Sequence, residues 1–267
     1  MTLSDTIDTS IDTILDTGTY PIHTSEFQSR CKRDLDRDGT LVMPGFMRPE
    51  AVASVQREGV ANADKVYAKT QTHNVYLTPP DPQFTADHAR NREVESSKGC
   101  ITDDLLPEKS ALRGLYDSEI FKTFLCAVLG EQALHPYADP LSSINLHFAK
   151  AGQELGWHFD NSSFAITLMI QAPDVGGQFE YVANLRDADS GDMNFAGVDR
   201  VLDGETAVRT LEMEPGTLVL FRGRNSLHRV APVEGDKTRM LVVLAYNSQP
   251  GISLSESARM TFYGRLN

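Results

Sequence analysis

His158 and Asp160 stand two residues apart in Gly156-Trp157-His158-Phe159-Asp160-Asn161, and His228 follows Asp160 by 68 residues. On a strand, residues i and i+2 share a face, so this imidazole and carboxylate can grip one cation together. A second imidazole from a distant strand completes a face of two histidines and one carboxylate. Such a face suits Fe(II) and leaves about half of an octahedral coordination sphere open to small ligands. The spacing alone is weak. With 7 His and 37 Asp plus Glu in 267 residues, roughly one His-x-acid match arises by chance. The elements around it decide.

From about residue 140 onward, strand patterns follow one another: Ile144–Ala149, Ala165–Gln171, Gln178–Val182, Ala207–Met213, Thr217–Arg222 and Met240–Tyr246. Gly176-Gly177 and Pro215-Gly216 read as hairpin-type turns between them. Short strands with regular turns predict a sandwich or jelly-roll barrel.

The first half is expected to buttress that barrel. Leu3, Ile7, Ile11, Ile14 and Leu15 fall at helical spacing before Gly18, a stripe that could pack on the body or join a homodimer. Gly39–Phe46 reads as a strand ended by Pro44-Gly45. Pro49 opens a helix whose stripe is Ala51, Val52, Val55, Val60, Ala63 and Val66. Asp117 is expected to cap a helix carrying Ile120, Phe121, Phe124, Leu125, Val128 and Leu129, stopped by Gly130. Residues 71–104 lack a period and read as a long loop, a candidate lid. We therefore expect a single domain over 1–267, mainly β: a buttress over 1–135 and a barrel core over about 140–250.

Composition narrows the partners. The formal charge of −12 argues against nucleic acid or an anionic membrane, both of which attract basic patches. A small anionic ligand needs only local positive charge. Three widely spaced cysteines, Cys31, Cys100 and Cys126, read as reduced thiols in a cytoplasm. No basic start leads into an apolar run, and no stretch approaches a membrane span.

The ordered set His-x-Asp, Gly-Gly-x-Phe-Glu, Pro-Gly-x-x-x-x-Phe, His228 and then Arg239 resembles the double-stranded β-helix of Fe(II)/2-oxoglutarate-dependent oxygenases over roughly 140–250. His73-Asn74-Val75-Tyr76-Leu77, Gly99-Cys100-Ile101-Thr102-Asp103-Asp104 and Gly156-Trp157-His158-Phe159 are similar to the group of free-lysine radical halogenases and related amino-acid hydroxylases. In those halogenases a glycine replaces the carboxylate ligand and chloride takes its place. This chain keeps Asp160, which favours hydroxylation. Leu155 and Asn161 depart from the residues expected around a lysine side chain, a polar one and an acid.

The resemblance implies that His158, Asp160 and His228 hold Fe(II), and that 2-oxoglutarate chelates the metal while Arg239 clasps its distal carboxylate through two parallel hydrogen bonds. Thr238, Thr210 or Asn145 could add bonds to that co-substrate. Oxygen would take the last position, and the products would be succinate, carbon dioxide and a hydroxylated small molecule, expected to be a free amino acid. Several side chains keep two readings. Asn161 either reaches the substrate or turns onto its own backbone. His147 either faces the site or is a satisfied structural histidine. His73 is either a substrate contact or a loop histidine bonded to backbone. Trp157 is expected to pack around the metal. Arg90 and Arg92 of the candidate lid either meet a substrate carboxylate or are solvated, and the same holds for Arg222 and Arg224. Two other functions compete: halogenation, opposed by Asp160, and a non-catalytic barrel that binds a metal or ligand.

Overall fold

The structure, a computed structural model, describes residues 11–267, so Leu3 and Ile7 of the N-terminal stripe lie outside the described residues. The helices are α1 (Ile11–Ile14), α2 (Ser25–Asp38), α3 (Pro49–Ala61), α4 (Ala111–Asp117), α5 (Glu119–Leu129), α6 (Phe195–Leu202) and α7 (Glu256–Tyr263). The strands are β1 (Thr40–Met43), β2 (Tyr67–Asn74), β3 (Glu93–Ile101), β4 (Ile144–Ala149), β5 (Leu155–His158), β6 (Ala165–Gln171), β7 (Val175–Gly176), β8 (Phe179–Val182), β9 (Arg209–Leu211), β10 (Leu218–Phe221), β11 (Leu227–Val230), β12 (Val233–Glu234) and β13 (Arg239–Leu244).

Eleven strands form one antiparallel sheet in the order β1-β10-β6-β13-β4-β3-β5-β11-β8-β9, with β2 added to β3. Strands far apart in this order, such as β13, β10 and β5, line one cavity, so the sheet curls over on itself. This is the double-stranded β-helix. The alternation of side chains sorts its two faces. Met240, Val242 and Leu244 of β13, with Ile144, Leu146 and Phe148 of β4, point outward into the main core. Leu241 and Val243 of β13 and His147 of β4 point into the cavity.

The main core lies between the outer face and the helices. Phe121, Phe124 and Leu125 of α5 and Leu35 of α2 are fully buried there. Ile11, Ile14 and Leu15 join the same core, so the described part of the N-terminal stripe is covered by this chain itself. Ser118, not Asp117, caps α5: its side chain accepts a hydrogen bond from Phe121 N, and Asp117 is the last residue of α4. Gly130 ends α5 in the left-handed region at φ 80°, which a glycine adopts without cost. The α3 stripe stops short of its expected end, because Val60 is 64% exposed and the helix closes at Ala61.

The expected loop over 71–104 is for the most part a hairpin. β2 and β3 pair over eight residues, from Tyr67 opposite Cys100 to Asn74 opposite Glu93. Its polarity has a structural cause. β2 is an edge strand, where charged and polar side chains blunt unwanted pairing. Ser96 and Lys98 of β3 turn inward, toward a polar site instead of an apolar core. Only 75–92 is irregular, and it is packed: Val75, Tyr76 and Ala89 are buried. The Asn91 side chain donates to the carbonyls of Asp81 and Phe84 and accepts from Asp81 N.

Candidate metal centre

His158 and His228 are direct cross-strand partners in the β5–β11 pair, which puts both imidazoles on one face with ring centroids 4.2 Å apart. Each ring is fixed by its own backbone two residues upstream. His158 Nδ1 lies 2.8 Å from the Gly156 carbonyl and His228 Nδ1 lies 2.9 Å from the Ser226 carbonyl. A carbonyl only accepts, so each Nδ1 carries a proton and, in the neutral ring, each Nε2 is a bare lone pair.

Asp160 follows the end of β5, and its N–H donates to the Gly223 carbonyl at 3.1 Å. Its Oδ1 is 3.8 Å from His158 Nε2 and 3.5 Å from His228 Nε2. Its Oδ2 is buried without a hydrogen-bond partner. Gly223 makes room for that oxygen: a Cβ there would meet Oδ2 at 1.8 Å.

These residues fit a metal ion. One ligand atom from each of the three lies within 4.8 Å of the others. A first-row cation bonded to each at about 2 Å would draw these atoms together to separations of about 3 Å. The protonation states fit as well. Burial, aided by His228, pushes His158 down to about 3, so it stays neutral. Burial opposes ionisation of Asp160, but the neighbouring His228 and His158 outweigh it and hold the carboxyl at about 2. A neutral imidazole at His158 and an ionised carboxylate at Asp160 are forms that bind a metal.

The set opens onto a cavity of about 270 Å³ inside the curled sheet. At its inner wall is Arg239, 5% exposed. Arg239 Nε donates to the Gly177 carbonyl at 3.1 Å, while Nη2 is buried with no partner. Burial pulls its pKa down to about 10, and no carboxylate pairs with it among the described residues. Buried charges are normally paired. A guanidinium left without a partner in a ligand-sized cavity fits a carboxylate that arrives with a ligand.

The other expected contacts are placed elsewhere. Thr210 is exposed on β9, opposite Glu180. Thr238 does not line the cavity, and its carbonyl accepts from Gln171. Asn145 is buried, but Leu141, Ile144 and Tyr263 take up its side-chain amide. Trp157 alternates away from His158 into a second cluster with Val75, Phe159 and Leu227, and Arg229 stacks on it at 4.8 Å. Arg92 is ion-paired to Asp203 at 2.6 Å, and Arg90 donates to the Pro79 carbonyl. Arg222 meets Asp36 and Arg224 meets Asp189. The Asn161 side chain is exposed beside the site and is not among the cavity-lining residues. His73 stands edge-on to His158 at 6.3 Å, bonded to Asn74 O and Ser96 Oγ, so it backs His158. His147 lines the cavity with Nδ1 unpartnered.

The lining residues not singled out from the sequence include Glu154 just before β5, Lys98 on β3 and Thr167 on β6. A lysine in a polar stretch reads as solvated, and a threonine in an apolar strand reads as packing. Only the register of the neighbouring strands turns them inward.

A family model described as Halogenase D matches residues 23–261. The chain belongs to the halogenase D family. No sequence match was found among curated proteins. Solved structures extend the likeness of fold. The epimerase SnoN, in complex with Fe3+, alpha ketoglutarate and nogalamycin RO, is 15% identical at a TM-score of 0.58, covering 84% of this chain and 84% of that one. A prolyl hydroxylase from Trichoplax adhaerens is 13% identical at 0.54, covering 86% and 92%. An oxidoreductase of the 2OG-Fe(II) oxygenase family from Burkholderia pseudomallei is 14% identical at 0.52, covering 85% and 93%. At these identities the likeness is one of architecture. Within this family member, the carboxylate beside the two histidines is the feature with most chemical consequence.

Proposed function

We propose that this protein is an Fe(II)- and 2-oxoglutarate-dependent dioxygenase that hydroxylates an unactivated C–H bond of a free amino acid or a related small molecule. The observation that carries the reading is a complete two-histidine, one-carboxylate set in the same cavity as an unpaired buried arginine. His158, Asp160 and His228 would hold the metal, and Arg239 would hold the distal carboxylate of the co-substrate. When bound, Fe(II) and 2-oxoglutarate supply the oxidant: dioxygen is consumed, the co-substrate becomes succinate and carbon dioxide, and one oxygen atom enters the substrate.

The chain's own part is placement. The Gly156 and Ser226 carbonyls fix the imidazoles before metal arrives. Gly177 aims Arg239 inward. The walls formed by Phe179, Phe221, Leu241 and Val243 keep water sparse, which strengthens every charge contact inside. Free cysteines and the absence, among the described residues, of a helix able to cross a membrane are compatible with a cytoplasmic enzyme.

Halogenation is the second reading, and the family match favours it. Against it stands Asp160, which occupies the position that chloride takes in the halogenases this chain resembles. Succinate release under air by Fe(II)-loaded protein, assayed across the free amino acids, tests the proposal. Succinate stimulated by one amino acid supports it. Iron binding without 2-oxoglutarate consumption would leave a binding barrel instead.

A further inference from the structure

Two basic side chains line the cavity, Arg239 and Lys98. Arg239 is the cross-strand partner of Ala149 on β4, and Lys98 sits next to Gly99, which pairs with Phe148. The three side chains Lys98, Ala149 and Arg239 therefore run in a row across one inner face. Lys98 makes no salt bridge among the described residues. It is close enough to Asp160 and Arg239 to feel both charges, and burial pushes its ammonium down.

Charge accounting singles it out. A metal dication is balanced by Asp160 and by the metal-bound carboxylate of 2-oxoglutarate. Arg239 is balanced by the distal carboxylate. Lys98 and the lining carboxylate Glu154 are left over, one cation and one anion, neither in a salt bridge among the described residues, and a ligand that carries both charges offers each a partner. The lining residues include only two carboxylates, Asp160 and Glu154. Two hydrogen bonds tie the Glu154 backbone to Ser97, the residue before Lys98. The walls near them, among them Leu155, Phe164 and Val230, are apolar.

We propose that Lys98 receives the carboxylate of an α-amino acid whose side chain is apolar, with Glu154 taking its ammonium. A lysine-like side chain does not fit, because no third acid lines the cavity to meet a second ammonium. The inference rests on the dioxygenase reading and narrows its substrate.

The test is calorimetric titration of protein loaded with Zn(II) and 2-oxoglutarate, which binds without turning over. The probes are leucine, methionine, phenylalanine, lysine and leucinamide. At least one apolar acid should bind about tenfold or more tighter than lysine, and leucine tighter than leucinamide by a similar factor, as a charged hydrogen bond implies. Lys98→Met should lose about that factor for the amino acid while 2-oxoglutarate affinity changes by less than about threefold. Loss of 2-oxoglutarate affinity with amino-acid binding intact would overturn the inference and make Lys98 a co-substrate anchor. So would equal binding of leucine and its amide, a comparison that needs no variant, or no binding of any amino acid probed. Failure of the wild-type protein to bind 2-oxoglutarate would instead refute the dioxygenase reading beneath it.

Discussion

Gly223 sits against the free oxygen of Asp160, where a single methyl group would land on the carboxylate. Gly223→Ala should therefore displace Asp160 and weaken metal binding about tenfold or more with the fold intact, read by metal titration alongside circular dichroism. Unchanged metal affinity would show that Asp160 is not held as described. His147 offers a pH readout away from the ligand set. Burial holds its pKa well below 6.5, so below pH 6.5 the unfolded chain takes up a proton that the folded chain refuses. Stability of the metal-free protein should therefore fall with pH there, by up to about 1.4 kcal/mol per pH unit from this group. His147→Leu should flatten that slope in denaturant melts between pH 6.5 and 5. An unchanged slope would mean that His147 takes a proton when folded. At this scale the cluster of His158, Asp160 and His228 and the cavity arginine Arg239 are legible because spacing and order carry them. Thr210, Thr238 and Asn145 were not excluded, because face parity depends on strand register, which spacing does not reveal. The same gap hid Lys98 and Gly223.

The hairpin β2–β3 shows why element reading fails beside a polar site. A strand is recognised by apolar alternation, and here the inward residues are Ser96, Lys98 and Cys100 while the edge strand carries Lys69, Thr70 and Thr72. The barrel strands β4, β6, β10 and β13 were legible because one face of each enters the apolar core. Helix α2 passed unnoticed although Thr24 caps it, Gly39 ends it, and Phe27, Cys31 and Leu35 repeat every four residues along one buried face. The segment after β2 is no free lid. Tyr76 stacks on Phe159 at 5.6 Å and donates from its hydroxyl to the Met193 carbonyl. Val75 O accepts from Phe159 N, next to Asp160. Tyr76→Ala should cost about 3 kcal/mol in urea unfolding, as loss of a buried aromatic does. A cost under about 1 kcal/mol would show that 75–92 is loosely attached.

For the whole molecule, helices cover the outer face of the curled sheet and leave its interior for ligands. Metal and co-substrate binding inside should then stabilise the entire fold. At a hundredfold excess over the dissociation constant, 2-oxoglutarate added to metal-loaded protein should contribute about 2.7 kcal/mol. The resulting rise in melting temperature should vanish in Arg239→Met, and a rise that persists would move the co-substrate away from Arg239. On the proposed reading, Asp160 closes to chloride the position that would permit halogenation. This closure is tested most directly by supplying isotope-labelled dioxygen and excess chloride to Fe(II)-loaded protein with 2-oxoglutarate and the amino-acid panel, followed by mass analysis. The product should have gained one labelled oxygen atom and no chlorine. A chlorinated amino acid would contradict it.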